Sequence, residues 1–145
     1  MGKDPIHIKA LDHVVLRVAD LDRALAFYRD TLGCEIERSV NDLGLVQLRA
    51  GTGLIDLVPV DSVLGLKLGA GPAKQGRNMD HFALELHNFD ADLISAYLEA
   101  RGVVVGEVGD RYGAQGSGPS IYIQDPDGNT VELKGPARSG TLLRA

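Results

Sequence analysis

The sequence predicts an α+β fold made of two β-α-β-β-β modules. Three observations carry this prediction: a short motif that occurs twice, a helical apolar pattern after each copy, and three strand-like segments after each pattern. The chain has 145 residues, 44% of them hydrophobic, which is enough for one domain with a core and too little for two ordinary domains. We therefore expect residues 1–145 to form a single domain.

A repeated motif opens each module. The segment LDHVVL at residues 11–16 is matched by MDHFAL at residues 79–84, and a short acidic turn follows each copy. Apolar residues at helical spacing come next. Asp20 and Asn88 are the predicted N-caps of these helices, because their side chains can accept hydrogen bonds from the free amides of the first turn. Each module therefore begins with a strand and a helix.

Three strand candidates complete each module. They cover residues 35–40, 45–50 and 54–59 in the first module, and 103–108, 120–124 and 130–134 in the second. Module one then spans residues 9–60, a linker 61–78, module two 79–136 and a tail 137–145. The glycine-rich linker is either an arm over a site or a plain surface loop.

Composition and charge exclude several classes of protein. The formal charge is -5, and no run of lysine and arginine forms a basic stripe, so we expect no nucleic-acid partner. No apolar stretch approaches the ~20 residues of a membrane span, and the first ten residues lack the apolar core of a signal peptide. Cys34 is the only cysteine, so no internal disulfide can form. A cytoplasmic protein that acts on a small molecule is expected.

The two histidines of the repeated motif occupy equivalent strand positions. Side chains alternate between the faces of a strand, so His13 shares a face with Arg17 and lies opposite the apolar face that the helix covers. His81 has the same place in the second module. Unrelated surface residues have no reason to recur in this way, so we interpret both histidines as functional.

Each module also carries a carboxylate on its final strand. Asp56 and Glu132 are each bracketed by two apolar residues, so both face away from the apolar layer. If the polar faces of the modules meet, one cavity is lined by His13, Asp56, His81 and Glu132. Two imidazoles with carboxylates are ligands of a divalent transition metal with open positions, and nickel, zinc, manganese, iron and cobalt all suit them.

These motifs resemble the vicinal oxygen chelate superfamily, which includes glyoxalase I, extradiol dioxygenases, fosfomycin-resistance thiol transferases and bleomycin-binding proteins. The likeness covers roughly residues 9–136, and its most specific parts are the two histidine motifs, ALAFY at 24–28, and DPDGN at 125–129 ahead of Val131-Glu132-Leu133. The resemblance implies a metal-lined half-barrel. It also implies a homodimer in which modules pair within or across chains, with the site shared between chains.

Glyoxalase I is the family member whose ligand set matches best. The resemblance implies that His13, His81 and Glu132 bind the metal and that Asp56, which is one methylene shorter than the usual glutamate, binds it directly or through water. It also implies that Arg17 contacts a carboxylate of glutathione. However, Val60 stands where glyoxalase I has an asparagine for glutathione, which argues against glutathione as a cofactor.

Three hypotheses about function follow. The first is a metal-dependent lyase or isomerase of glyoxalase type, in which Glu132 or Asp56 takes a proton from a small substrate with two adjacent oxygens and the metal stabilises an enediolate. Tyr122 would help to bind that substrate. The second is a ring-cleaving dioxygenase or a fosfomycin-type thiol transferase that uses only His13, His81 and Glu132. The third is a drug-binding protein without catalysis.

Overall fold

In the computed structural model, which describes residues 5–138, each half of the chain folds into a four-stranded mixed sheet. The first sheet has the order β1-β4-β3-β2 and the second the order β5-β8-β7-β6, with β1 parallel to β4 and β5 parallel to β8. The strands are β1 (His13–Val18), β2 (Ile36–Val40), β3 (Leu45–Ala50), β4 (Gly53–Pro59), β5 (His81–Glu85), β6 (Val105–Gly113), β7 (Gly116–Gln124) and β8 (Thr130–Lys134). The predicted pair of β-α-β-β-β modules is confirmed.

One helix follows the first strand of each module. Helix α1 (Leu21–Leu25) continues into a π-helical turn (Ala26–Thr31), and α2 covers Ala91–Glu99. Asp20 caps α1 as predicted, since its side chain accepts from the Arg23 amide at 3.1 Å. The prediction of Asn88 as the second cap is wrong: Asp90 caps α2. The chain stays attached to the sheet beyond β5, because the Leu86 amide donates to the Lys134 carbonyl at 2.7 Å, so the second helix begins later.

The β6–β7 hairpin is longer than the sequence predicted. The predicted strands 103–108 and 120–124 are observed as Val105–Gly113 and Gly116–Gln124. The added residues are rich in glycine and polar side chains and have no alternating apolar pattern, so the sequence favoured a loop there. Backbone pairing extends the strands there, and Lys134 supports it by donating to the Arg111 carbonyl at 2.6 Å. The predicted tail lies outside the described residues from position 139 onward, and none of the helices within 5–138 has the length and apolar character needed to cross a membrane.

The apolar faces of both sheets enter one shared core. The helices pack there as well. Its most deeply buried members are Val18, Ala24, Tyr28, Leu48, Ile55, Leu57, Leu98, Ile121, Ile123 and Val131. Because side chains alternate along a strand, the faces that carry His13 and His81 turn away from this core. The core therefore holds neither of the two polar faces.

A polar seam joins the two modules across the core. The Tyr28 hydroxyl, which is fully buried, donates to Oδ2 of Asp125 at 2.6 Å. Burial, reinforced by the charge of Asp125, raises the pKa of Tyr28 well above its usual range. Asp127 accepts from the Ala19 amide at 2.9 Å. The turn that the sequence predicted between β7 and β8 thus also anchors module two to module one.

Candidate functional site

Both carboxylates occupy the same place in the strand register of their sheets. On β4, Asp56 pairs with Val15 of β1 on one side and with Gln47 of β3 on the other. On β8, Glu132 pairs with Ala83 of β5 and with Tyr122 of β7. The histidine of each first strand lies two residues before the strand partner of the carboxylate, and so on the same face. Each module therefore carries one imidazole and one carboxylate in equivalent positions.

An aspartate orients each of the two imidazole rings. Nδ1 of His13 lies 2.7 Å from Oδ2 of Asp12, and Nδ1 of His81 lies 2.7 Å from Oδ2 of Asp80. The hydrogen bond to Asp12 raises the pKa of His13, and the charge of Asp56 adds to the effect. A proton held on Nδ1 leaves Nε2 as the atom that can bind a metal. The sequence analysis missed this role, although the repeated Asp-His pair was its signal.

In module two, direct contacts link the carboxylate to the histidine and to a serine. The Ser120 hydroxyl donates to Oε2 of Glu132 at 2.6 Å, and Oε1 of Glu132 lies 3.3 Å from Nε2 of His81. With the His81 proton on Nδ1, the Nε2 lone pair faces a carboxylate oxygen, and a cation between the two atoms would relieve that repulsion. The Tyr122 ring meets the His81 ring edge-on, with the centroids 5.5 Å apart. We call His81, Glu132 and their contacts the module-two half-site.

In module one, only one oxygen of the carboxylate has a hydrogen-bond donor among the described residues. Asp56 is only 3% exposed, and its Oδ2 accepts from Nε2 of Gln47 at 3.0 Å. Its Oδ1 is buried without a hydrogen-bond partner among the described residues. Leaving a buried polar atom unpaired costs about 1–3 kcal/mol, and more for a charged group, so such an atom needs an explanation. A metal ion would supply one, and this chemistry fits the predicted divalent cation. We call His13, Asp56 and Gln47 the module-one half-site.

A single chain does not gather the predicted ligands. Among residues 5–138, no group of three or more histidine, cysteine, aspartate or glutamate side chains is placed to hold an ion. The sequence left open whether the modules pair within one chain or between chains, and the described residues do not bring the four predicted ligands together within one chain. The reason is the shared core, because the apolar faces of the two sheets turn toward each other and leave the half-sites apart.

The comparisons with known proteins agree with this architecture. The family model described as Glyoxalase/Bleomycin resistance protein/Dioxygenase superfamily matches residues 10–133. This chain belongs to that superfamily. It is 30% identical over 122 residues to the lactoylglutathione lyase of Haemophilus influenzae, covering 83% of this chain and 88% of the relative. It is also 30% identical over 127 residues to the virulence protein STM3117 of Salmonella typhimurium, covering 87% and 83%.

Solved structures of the superfamily superpose over most of the chain. A protein from the mobile metagenome of V. Pseudocholerae gives a TM-score of 0.68 at 30% identity and covers 92% of this chain and 98% of its own. The lactoylglutathione lyase from Agrobacterium tumefaciens gives a TM-score of 0.63 at 25% identity, covering 91% and 96%. The fold and the family are thus shown, and relatives named as lyases are among the matches.

In this protein, the Arg17 side chain contacts the linker. Its Nε and Nη2 donate to the Gly65 carbonyl at 3.1 and 2.7 Å, Nη2 also donates to Gly69 at 2.5 Å, and Nη1 donates to Ala70 at 2.9 Å. The linker therefore lies against the polar face of β1, where the sequence left an arm and a plain loop equally open. The predicted contact of Arg17 with a substrate stays a prediction.

A large cavity lies away from both half-sites. It measures about 630 Å³ and opens between α2, the end of the π-helical turn and the β3–β4 hairpin. Leu84, Leu98 and Leu133 line it, and these side chains belong to the apolar side of their elements. Cys34 also lies here, and burial raises the pKa of its thiol. None of the four predicted metal ligands borders this cavity, so size alone does not mark the site in this member of the superfamily.

Proposed function

We propose that this protein is a divalent-metal-dependent lyase or isomerase that acts on a small substrate with two adjacent oxygens. We further propose that it works as a homodimer, in which the module-one half-site of each protomer meets the module-two half-site of its partner. The observation that carries the proposal is the buried Oδ1 of Asp56, which has no partner within the described residues. The relatives named lactoylglutathione lyase support the class of reaction.

The dimer follows from how the ligands are divided. Each half-site offers one imidazole nitrogen and one carboxylate, and three or four protein ligands are usual for a transition metal. A pairing of unlike halves supplies His13 and Asp56 from one protomer together with the partner's His81 and the partner's Glu132. Two such sites form in a dimer with twofold symmetry. Val15, which shares a face with His13, is 53% exposed in the single chain, as expected for a surface that a second chain covers.

When bound, the divalent ion would act as a Lewis acid that polarises the two substrate oxygens and makes the adjacent C–H group more acidic. We assign Glu132 as the general base: it would give up its place on the ion when the substrate binds, which frees Oε1 to take this proton. Its side chain is one methylene longer than that of Asp56, which gives it more reach toward a substrate carbon. The Ser120 hydroxyl donates to Oε2 at 2.6 Å and so fixes the orientation of the carboxylate, with Oε1 on the side of His81.

The geometry favours four ligands over the triad of His13, His81 and Glu132. In the triad hypothesis Asp56 would support the site through a hydrogen bond only, and both of its oxygens should then have donors. Instead Gln47 satisfies Oδ2, while Oδ1 has no donor within residues 5–138. Four-residue ligation accounts for that oxygen directly. The dioxygenase and thiol-transferase hypotheses are for this reason not the ones that we propose.

The test is complementation between two defective chains. We would co-express His13→Ala and Glu132→Gln chains with different affinity tags and isolate the heterodimer. In a site shared between chains, one of the two sites then carries both substitutions and the other carries neither. We expect about half of the wild-type metal content and about half of the activity per dimer, whereas each homodimeric variant has little of either.

The matched control pairs His13→Ala with Asp56→Ala. Both substitutions lie in the module-one half-site, so each site of this heterodimer keeps one defect and should regain nothing. Metal content is measured by atomic absorption and needs no known substrate. Proton exchange and isomerisation are then assayed with hemithioacetals of α-keto-aldehydes and with hydroxy-carbonyl compounds. An absence of recovery in the first heterodimer would contradict the shared site, and metal-loaded protein without any proton exchange would contradict the lyase or isomerase.

A further inference from the structure

The linker accepts most of the hydrogen bonds that the Arg17 guanidinium can donate. A guanidinium has five N–H donors, and four of those on Arg17 point to backbone carbonyls of Gly65, Gly69 and Ala70. Only one N–H of Nη1 has no acceptor among the described residues. A carboxylate that binds arginine through two parallel hydrogen bonds needs two adjacent free donors. Such a carboxylate would also come close to the linker carbonyl oxygens, whose partial negative charge repels it.

The chain that meets Arg17 is shaped for this contact. We call residues 61–70 the clamped segment. It contains a single turn of 3-10 helix (Gly65–Leu68), and Gly69 follows with a φ of 71°, in the region that favours glycine. A side chain at Gly65 would collide with the Pro59 carbonyl oxygen, so only glycine lets the turn fold back on β4. The Ser62 hydroxyl bridges the two, since it donates to the Pro59 carbonyl at 2.6 Å and accepts from the Gly65 amide at 3.1 Å.

Helix chemistry explains why arginine suits this place. The carbonyls in the last turn of a helix lack partners within the helix, and together they carry partial negative charge. Gly65 begins the turn, while Gly69 and Ala70 follow its end, and Arg17 supplies donors and a positive charge to these carbonyls. Its position on β1, on the same face as His13 and four residues further along, fixes the clamped segment beside the module-one half-site.

The surface next to the half-site is apolar. Val15 lies between His13 and Arg17 on their shared face of β1 and is 53% exposed. The clamped segment carries two more exposed apolar side chains, Leu66 at 66% and Leu68 at 75%. These three side chains can pack against a hydrocarbon group of a ligand, but they have no donor for a peptide carboxylate. Val60, which directly precedes the segment, has no side-chain amide.

We propose that Arg17 is a positioning residue that fixes the clamped segment as a wall of the substrate cavity, and that the substrate is a small vicinal-oxygen compound with an apolar substituent and no glutathione moiety. This inference rests on the proposed function, because it concerns the substrate of the same site. It assigns to Arg17 a contact with the protein backbone in place of one with a glutathione carboxylate.

The first measurement follows the segment itself, by hydrogen exchange read by mass spectrometry on metal-free protein. In the wild type, the Leu66 amide is held by the Ser62 carbonyl at 3.0 Å and the Gly69 amide by the Leu66 carbonyl at 3.3 Å. We expect Arg17→Ala to raise exchange in residues 61–70 about tenfold or more, because the charge-assisted bonds that hold this turn are lost. Lys67→Ala is the matched control, since it removes a positive charge from the same segment and should leave exchange unchanged.

Arg17→Lys tells anchoring apart from simple charge. A lysine keeps the charge but cannot reach three carbonyls with a rigid fork, so we expect it to loosen the segment nearly as much as alanine does. It also keeps the measurement available if the alanine variant folds poorly. Unchanged exchange in both variants would overturn the positioning role.

The second measurement addresses the substrate. We would titrate wild type, Arg17→Ala and Lys67→Ala with S-hexylglutathione and with hexanethiol-derived hemithioacetals by calorimetry, then compare kcat/KM for hemithioacetals made from glutathione and from small uncharged thiols. We expect the wild type to prefer glutathione by less than about tenfold. A loss of S-hexylglutathione affinity of about tenfold or more in Arg17→Ala, with exchange in the segment unchanged, would overturn the inference. That result would leave the proposed lyase intact, whereas failed complementation would count against the shared site alone.

Discussion

The two half-sites share one strand register and differ in how well each is satisfied without a ligand. In module two, Glu132 has Ser120 on one oxygen and His81 near the other. In module one, Gln47 satisfies a single oxygen of Asp56, and the second is buried without a partner among the described residues. Asp56 is one methylene shorter and contacts no histidine within ion-pair distance there. Module two is thus organised in advance, whereas under the proposed function module one would depend on a cation that the partner subunit helps to hold.

The largest expected effect comes from removing the base. Glu132→Gln should lower kcat of the metal-loaded protein by about 10³-fold, because a positioned general base contributes roughly 10² to 10⁴. Asp56→Asn should lower kcat by only about tenfold, since an amide oxygen can still approach the ion. Both variants are assayed by steady-state kinetics at matched metal content. Equal losses in the two variants would remove the distinction between the half-sites in catalysis.

The seam between the modules gives the next largest effect. Tyr28→Phe removes a buried hydrogen bond to the Asp125 carboxylate, and hydrogen bonds to charged groups contribute about 1.5–3 kcal/mol. We expect the free energy of unfolding to fall by about 2 kcal/mol, measured by urea denaturation. Because the seam joins the modules that carry the two half-sites, the metal content of the variant also tests whether the proposed site survives a weaker seam.

Tyr28 should also make the stability of the folded protein depend on pH, in a direction that its raised pKa fixes. The folded state raises the pKa of Tyr28, mainly through burial, whereas the unfolded chain ionises this phenol near the ordinary tyrosine pKa of about 10. The folded protein therefore binds the proton more tightly, and stability that is present below pH 10 is lost as the pH rises above it. Tyr28→Phe should flatten that part of the curve of stability against pH. An unchanged slope would show that another group controls alkaline unfolding.

In the metal-free protein, substitutions in the two half-sites should change the free energy of unfolding in opposite directions. Asp56→Asn removes a buried charge with an unsatisfied oxygen and keeps an acceptor for Gln47, so it should stabilise the metal-free protein by about 1 kcal/mol. Glu132→Gln weakens the charge-assisted bond from Ser120 and should destabilise it by about 1 kcal/mol. Urea denaturation with a chelator measures both, and repetition with saturating zinc should cancel the advantage of Asp56→Asn. Destabilisation by both substitutions would mean that Asp56 is already satisfied.

Strand parity and the internal repeat were enough to predict most of these side chains. Each carboxylate and each histidine lies on the face that the alternation assigned, because a period of two leaves no other choice within a strand. The meeting of the two polar faces within one chain could not be judged from the sequence. It depends on which faces share the core, and that is decided by side chains far apart in the chain, such as Tyr28 and Ile121.

The contacts of Arg17 were also beyond the reach of the sequence. Parity placed it beside His13, but its partners are backbone carbonyls, and their positions follow from the fold of the linker. Side-chain chemistry gives no signal for such a partner. The Asp-His pairs, in contrast, were visible as a repeated dipeptide, and they were missed because adjacent residues on a strand point to opposite faces. Here each aspartate lies just before its strand begins, so its side chain can turn back to the ring.

These aspartates provide a direct check on the symmetry of the halves. Asp12→Ala and Asp80→Ala should each weaken zinc affinity about tenfold, at the low end for residues that orient a metal ligand. The side chains are 89% and 96% exposed, so water replaces much of what they contribute. Both contacts measure 2.7 Å, so we expect the two losses to be equal, with Asp42→Ala as a control for net charge. A loss confined to Asp80→Ala would show that zinc binds module two first and that His13 joins only when the partner subunit completes the site.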